Sequence, residues 1–391
     1  MIIANKPNRI VSIDVLRGLV IVLMALDHVR DFFHDDAFLH NPTDLSTTTP
    51  VLFFTRWITH FCAPVFIFLA GISAYLSGTK KTTQSHQLFL IKRGLWLIFI
   101  ELTIVNFGWM FNPHFSQSIL QVIWAIGASM VLLGLVIGLK QKLVLALGVS
   151  IILFHNLLDY LPAITQQSVL YHIFHTSGFK GFAVTNNYSI VTVYGLLPWF
   201  GIMCFGYGLG YIFKSDFNTA LRKKTLLRLS VFMLLAFVAI RFLNGYGDPN
   251  PYSAQQTALF TILSFIDVSK YPPSLLYTLL MLGPALLFLA FLENTKTYLT
   301  QKLQVFGSVP FYFYIIHIYA IHLLVIPLFF MQGFTVADII QKPFWFRPDN
   351  LGVGLIGVYF VWILLVIALY PLCKRYKNFK ATRKHWWLSY L

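Results

Sequence analysis

Apolar runs of bilayer-spanning length recur about ten times along this chain, at roughly 10–33, 52–77, 88–111, 118–138, 142–161, 190–213, 226–243, 274–292, 303–331 and 353–373. In hydrocarbon every backbone polar group must be satisfied within the protein, and runs of about 20 apolar residues do this as helices. The sequence is 57% hydrophobic and 11% charged, against roughly 25% charged in soluble domains. The expectation is therefore an all-α, polytopic helical membrane protein with about ten transmembrane helices. The first run is too long for a signal-peptide core and is followed by an acidic stretch instead of a small-residue cleavage site, so it is expected to remain in the protein. No Ser/Gly-rich linker, low-complexity tract or internal repeat divides the sequence, and residues 1–391 read as a single transmembrane domain. The long connections at 162–189 and 244–273, rich in aromatic residues and Pro, are expected to fold over the bundle.

Lys and Arg number 29 against 14 Asp and Glu. In a soluble protein that excess would suggest nucleic acid; here its distribution sets topology instead. With the N-terminus in the cytoplasm, 21 basic residues fall on the inner side. Seven fall outside (Arg30, Arg56, Lys180, Arg241, Lys270, Lys342, Arg347), and Arg17 is buried. Both termini are thus expected in the cytoplasm. Cys62, Cys204 and Cys373 lie in or at the end of spans, without disulfide or metal-ligand spacing, and read as buried structural thiols; no metal is expected.

The first run, RIVSIDVLRGLVIVLMALDHVRDFF, carries Asp14, Arg17, Asp27, His28, Arg30 and Asp31. A charge at the bilayer centre costs about 2.5–3.5 kcal/mol on insertion scales, so such groups line pathways, do chemistry, or neutralise one another inside the bundle. At about 100° per residue, positions 11 apart return to within roughly 20°. Arg17 and His28 therefore share a face, with Asp14 and Asp31 close to it, while Asp27 points roughly 100° from His28.

Other spans add isolated candidates. His60 lies in the second span, which has small residues Gly71, Ser73 and Ala74 toward its inner end. Lys92 and Arg93 stand at the inner edge of the third, as anchors to lipid headgroups or ligands of an anion. Glu101 is buried beyond them and needs a partner, for which Arg17 is the attractive candidate. His155 and Asp159 have the i,i+4 spacing of a facing pair. His317 and His322, about 140° apart, cannot face one site, and His317 is the deeper. The run KYPPSL stiffens the entry to the eighth span at Pro272 and Pro273, where Tyr271 offers a hydroxyl or a stacking face.

Six blocks in order carry a family resemblance: SIDVLRGLVIVLMALDHVRDFF, RWITHFCAPVFIFLAGISAYL, RGLWLIFIELTIV, LPWFGIMCFGYGLG, KYPPSLLYTLLMLGPAL and FGSVPFYFYIIHIYAIH. They resemble the bacterial DUF1624 family, which is grouped with the heparan-alpha-glucosaminide N-acetyltransferase catalytic-domain proteins. The wider superfamily includes acyltransferase 3 membrane enzymes, whose first span is similar in an Asp, an Arg-Gly pair and a His ten residues beyond the Gly, here Asp14, Arg17-Gly18 and His28. The resemblance implies His28 as the catalytic residue, Lys92 and Arg93 as the basic pair holding the donor, and a bacterial inner-membrane location. The heparan-acetylating branch also has an active-site His between its first two spans; no His stands at the matching position here, though His34 and His40 lie nearby, so the heparan substrate is not transferred. A homodimer accompanies this architecture, with no interface legible in the sequence.

The resulting expectation is a transmembrane acetyltransferase that moves an acetyl group from cytoplasmic acetyl-CoA to an amine or hydroxyl of an extracytoplasmic glycan or amino-sugar acceptor. Arg17, Lys92 and Arg93 would hold the donor phosphates. His28 would act as general base, its unperturbed pKa being near 6.5, with Asp27 or Asp31 orienting it and an acetyl-histidine intermediate as the covalent variant. His60, Tyr271 and His317 are the candidate acceptor contacts. The alternatives are a proton-coupled secondary transporter or lipid-linked solute exporter using the same polar stripe, and a noncatalytic membrane partner or sensor.

Overall fold

The computed structural model describes residues 10–175, 178–339, 344–383, 385 and 388. Lys6, Arg9, Lys342 and Lys384, used above to set topology, lie outside them. The chain begins as α1 (Val11–Phe33), then α2 (Pro50–Thr59), α3 (Cys62–Gly78) and α4 (Thr83–Ile100). A π-turn over Glu101–Val105 leads into α5 (Asn106–Met110). Next come α6 (Val122–Val136), α7 (Gln141–Phe154), the short α8 (Ala163–Gln166) and α9 (Val169–His175), then α10 (Leu196–Leu209). The remainder of the chain holds α11 (Thr219–Leu243), α12 (Ala258–Ile266), α13 (Leu275–Leu292), α14 (Tyr298–Ser308), α15 (Pro310–Met331) and α16 (Leu355–Thr382).

Among the described residues, seven helical segments are long and apolar enough to cross a membrane. The other segments expected to cross are α1, the α4–α5 segment and the 15-residue α6. α1 falls outside the seven because every 18-residue stretch of it holds more than two acidic or basic residues. It is nonetheless the centre of the bundle, packed by α3, α13, α14, α15 and α16. Gly18 and Gly307 make that possible: a Cβ on Gly307 would overlap the Asp14 carbonyl, and one on Gly18 the Leu303 carbonyl, so α1 and α14 meet backbone to backbone.

Two spans that read as continuous are interrupted, each at a proline. Pro64, near the start of α3, has no N–H and its ring crowds the carbonyl four residues back, which separates α2 from α3 at His60. The His60 carbonyl left over accepts the Tyr277 hydroxyl at 2.7 Å. Pro310, at the first position of α15, likewise separates it from α14.

The all-α expectation needs one correction. A three-stranded sheet forms from β1 (Gln117–Leu120), β2 (Lys180–Thr185) and β3 (Tyr188–Thr192), in the order β1-β3-β2, with β1 parallel and β2 antiparallel to β3. Its residues were expected at the beginnings of the fourth and sixth spans and in the connection at 162–189. The sheet and residues 244–273 cover the end of the bundle where α1 finishes, as expected of long folded connections. Arg241 pins the second connection, donating to the carbonyls of Asn250, Ser264, Phe265 and Asp267 at 2.8–2.9 Å. All three cysteines are buried and free.

Candidate active site

Two cavities line up along α1. The first, about 290 Å³, lies toward the end where α1 begins and is lined by Arg17, Ile21 and Met24 of α1, Ser73 of α3, Arg93 of α4, Tyr314 of α15 and Lys380 of α16. The second, about 930 Å³, lies under the sheet and the 244–273 connection and is lined by Asp27, His28, Arg30 and Asp31 of α1, with Arg56, His60, Trp109, Lys270 and Tyr271. They nearly meet. Met24 faces one and His28 the other, one helical turn or about 6 Å apart, and Val122 and Gln121, consecutive in the chain, face one each.

His28 stands at that junction. Its Nδ1 is 2.7 Å from His317 Nε2, and the two rings stack with centroids 5.0 Å apart. Trp109 meets it edge-on at 4.8 Å and Tyr314, from the first cavity's wall, at 6.2 Å. His317 Nδ1 lies 3.0 Å from the Phe313 carbonyl. A carbonyl only accepts, so His317 carries its proton on Nδ1, and for two neutral rings its Nε2 must accept from His28 Nδ1–H. The unprotonated nitrogen of His28 is then Nε2, the form a base needs.

This corrects the expected orienting group. The carboxylates near His28 are committed elsewhere: Arg56 Nη1 donates to both oxygens of Asp27 at 2.6 Å, and Arg30 Nη2 reaches Asp27 at 3.1 Å and also pairs with Asp31. Arg347 donates to the Asp31 and His34 carbonyls, fixing the end of α1. On the connection over the cavity, burial pushes the Tyr271 phenol up, but Lys270 and Arg56 outweigh it and hold the group below its usual value. Asp267, which also lines this cavity, is pushed up to about 6 by burial and by Asp248.

At the other end Arg17 donates to Asp14 Oδ1 (3.3 Å), the Gly307 carbonyl (3.3 Å) and Ser73 Oγ (3.1 Å). The expected Arg17–Glu101 pair does not form: Glu101 accepts the Trp124 backbone N–H at 3.2 Å, capping the first turn of α6, whose unpaired N–H groups attract a carboxylate. The basic pair splits, with Arg93 in the cavity wall and Lys92 exposed outside it. His155 and Asp159 are not hydrogen-bonded to each other, because the helix tightens to a 3₁₀ turn there; Asp159 takes His175 at 2.7 Å, and His155 Nε2 lies 2.9 Å from the Pro273 carbonyl. His322 lies apart from His28, stacked on Phe111. His40 lines the second cavity and pairs with Asp36, whereas His34 is outside the lining.

Sequence reasoning brought Arg17, His28, His60 and Tyr271 to cavity walls and missed the roles of Arg56, Lys270, Trp109 and Tyr314. Arg56 carried a signal, four residues before His60 on one apolar span; Trp109 and Tyr314 are indistinguishable from packing aromatics until folded.

The family described as heparan-alpha-glucosaminide N-acetyltransferase, catalytic, matches residues 9–246. That is more than half of the chain, which belongs to this family of acetyltransferases. No individual curated protein matches it.

Proposed function

From membership of that family as premise, we propose that this integral membrane acetyltransferase uses acetyl-CoA from the cytoplasm and delivers the acetyl group to an amine or hydroxyl of an extracytoplasmic acceptor, a glycan or amino sugar. The single observation that carries the reading is the approach of two cavities to within a helical turn at His28. The side where α1 begins would be cytoplasmic, as would both termini, in a bacterial inner membrane. Arg17 and Arg93, with Lys380 from the last helix, would meet the donor phosphates, and the largely apolar remainder of that cavity suits a pantetheine arm.

In the transfer step the acceptor nitrogen or oxygen attacks the thioester carbonyl carbon and forms the new C–N or C–O bond. Its proton passes to His28 Nε2. The C–S bond breaks as the tetrahedral adduct collapses, and the CoA thiolate leaves with that proton. His317 holds the required tautomer and accepts a stronger hydrogen bond as imidazolium develops. Asp27, compensated by Arg56 and Arg30, adds negative potential beside the ring without taking its proton.

The test is CoA release by purified protein in nanodiscs given acetyl-CoA with amino sugars or membrane glycans. Acceptor-dependent release that disappears in His28→Ala is expected. Normal turnover by folded His28→Ala would remove His28 from the mechanism; no release and no acetyl-CoA binding by folded wild type would favour the transporter reading instead.

A further inference from the structure

Buried cations in the acceptor-side cavity are left with hydrogen-bonding capacity. Lys270 is 7% exposed and lines the cavity, and its ammonium makes no hydrogen bond or ion pair among the described residues; it lies 5.1 Å from the ring centre of its neighbour Tyr271. Arg30 is 3% exposed and lines the same cavity, with Nε and Nη1 both buried and without partners among the described residues. The wall does hold carboxylates: Asp27 is engaged by Arg56 and Arg30 and Asp31 by Arg30, while Asp267 makes no ion pair with Lys270 or Arg30 among the described residues. Arg30 Nε and Nη1 are donors removed from water without acceptors, which is costly, and the Lys270 ammonium faces the cavity. An anion supplied by a ligand would satisfy the Lys270 ammonium and lie beside the Arg30 guanidinium.

We propose that this cavity selects an acceptor bearing an anionic substituent, a carboxylate or a phosphate ester, which Lys270 and Arg30 bind while the acetylated amine or hydroxyl faces His28. The inference rests on the acetyltransferase reading for the role of the bound molecule, though not for its binding. The cavity, about 930 Å³, has room for a substituted amino sugar. Arg30 provides the directional donors and Lys270 a compact charge, so a tetrahedral and a planar anion are both accommodated. Neutral amino sugars would leave the two cations as they are in the empty cavity and gain nothing from them.

The experiment separates binding from transfer. Calorimetry with wild-type protein in nanodiscs, without acetyl-CoA, compares glucosamine with glucosamine 6-phosphate and with muramic acid, which carries a carboxylate. At least one anionic sugar is expected to bind about tenfold tighter than glucosamine or better, and Lys270→Gln should erase that preference. Preference for the phosphate or for the carboxylate names the substituent. Equal binding of all three sugars by wild type, or a preference that persists in both Lys270→Gln and Lys270→Met, overturns the proposal. Arg30→Lys, which keeps a charge for Asp27 and Asp31, should weaken the anionic sugar selectively and thereby separates recognition from loss of fold. CoA release with the same sugars reports on the other reading: selective binding without acetyl transfer would sink the acetyltransferase function and leave the anion site standing.

Discussion

Replacing His317 by Phe keeps an aromatic ring on Phe313, with which His317 now stacks at 5.1 Å, and removes the acceptor for His28 Nδ1–H. That N–H would then be buried without a partner, at a cost of about 1–3 kcal/mol. The tautomer protonated on Nε2 escapes the penalty by turning the proton toward the cavity, but it has no lone pair there to act as base. At 1.4 kcal/mol per factor of ten, the productive tautomer falls about 5- to 150-fold, and kcat should fall with it. Donor affinity should not change, because Arg17, Arg93 and Tyr314 of the first cavity remain in place. His317→Gln, whose side-chain carbonyl accepts a hydrogen bond, should recover part of the loss. The assay is steady-state CoA release in nanodiscs beside calorimetric binding of acetyl-CoA. Wild-type kcat in His317→Phe, or equal losses in the Phe and Gln proteins, would refute the tautomer argument.

Three further outcomes follow from the packing and charges. Arg93→Gln should weaken acetyl-CoA binding about tenfold with little effect on the transfer rate at saturating donor, read by calorimetry and single turnover; unchanged affinity would take Arg93 out of the donor site. Gly307→Ala pushes α14 off α1, an overpacking cost of about 1–3 kcal/mol, and should lower the thermal midpoint and donor affinity together, since the Gly307 carbonyl holds Arg17. Asp267 is protonated more readily folded, near 6, than unfolded, so its ionisation costs stability progressively as pH rises from about 4 to 6 and fully above that. Asp267→Asn should flatten that part of the pH–stability curve and be the more stable protein at pH 7 in thermal unfolding; parallel curves for the two proteins would contradict it.

The sequence exposed the axis of the site because α1 breaks the rule for spans: six ionisable residues on one apolar helix had to face the bundle interior, and its central position follows from that. Partner choice was illegible. Asp31 lies one turn from His28 and looked like its orienting group, yet Arg30 and Arg56 outcompete a neutral imidazole for both carboxylates. His317, 289 residues away, is left to face His28, and only the fold brings them together. Glu101 went to the nearest unpaired helix N-terminus instead of to Arg17. The sheet escaped notice because QSIL runs without a turn signal into the apolar stretch of α6 and only Gly195 gives one between YSIVT and α10, and short strands and helix starts look alike there. The breaks at Pro64 and Pro310 fall at prolines, but Pro284, Pro327 and Pro371 lie inside continuous helices, so a proline in an apolar run did not by itself mark a break.

The most direct test of transfer across the junction at His28 uses proteoliposomes of known orientation, with acetyl-CoA confined to the side where α1 begins and an amino-sugar acceptor confined to the other. Acetylated acceptor should accumulate on its own side as free CoA appears on the donor side, and neither should appear with His28→Ala. Transfer that requires donor and acceptor on the same side, or that proceeds unchanged in the mutant, would contradict the account.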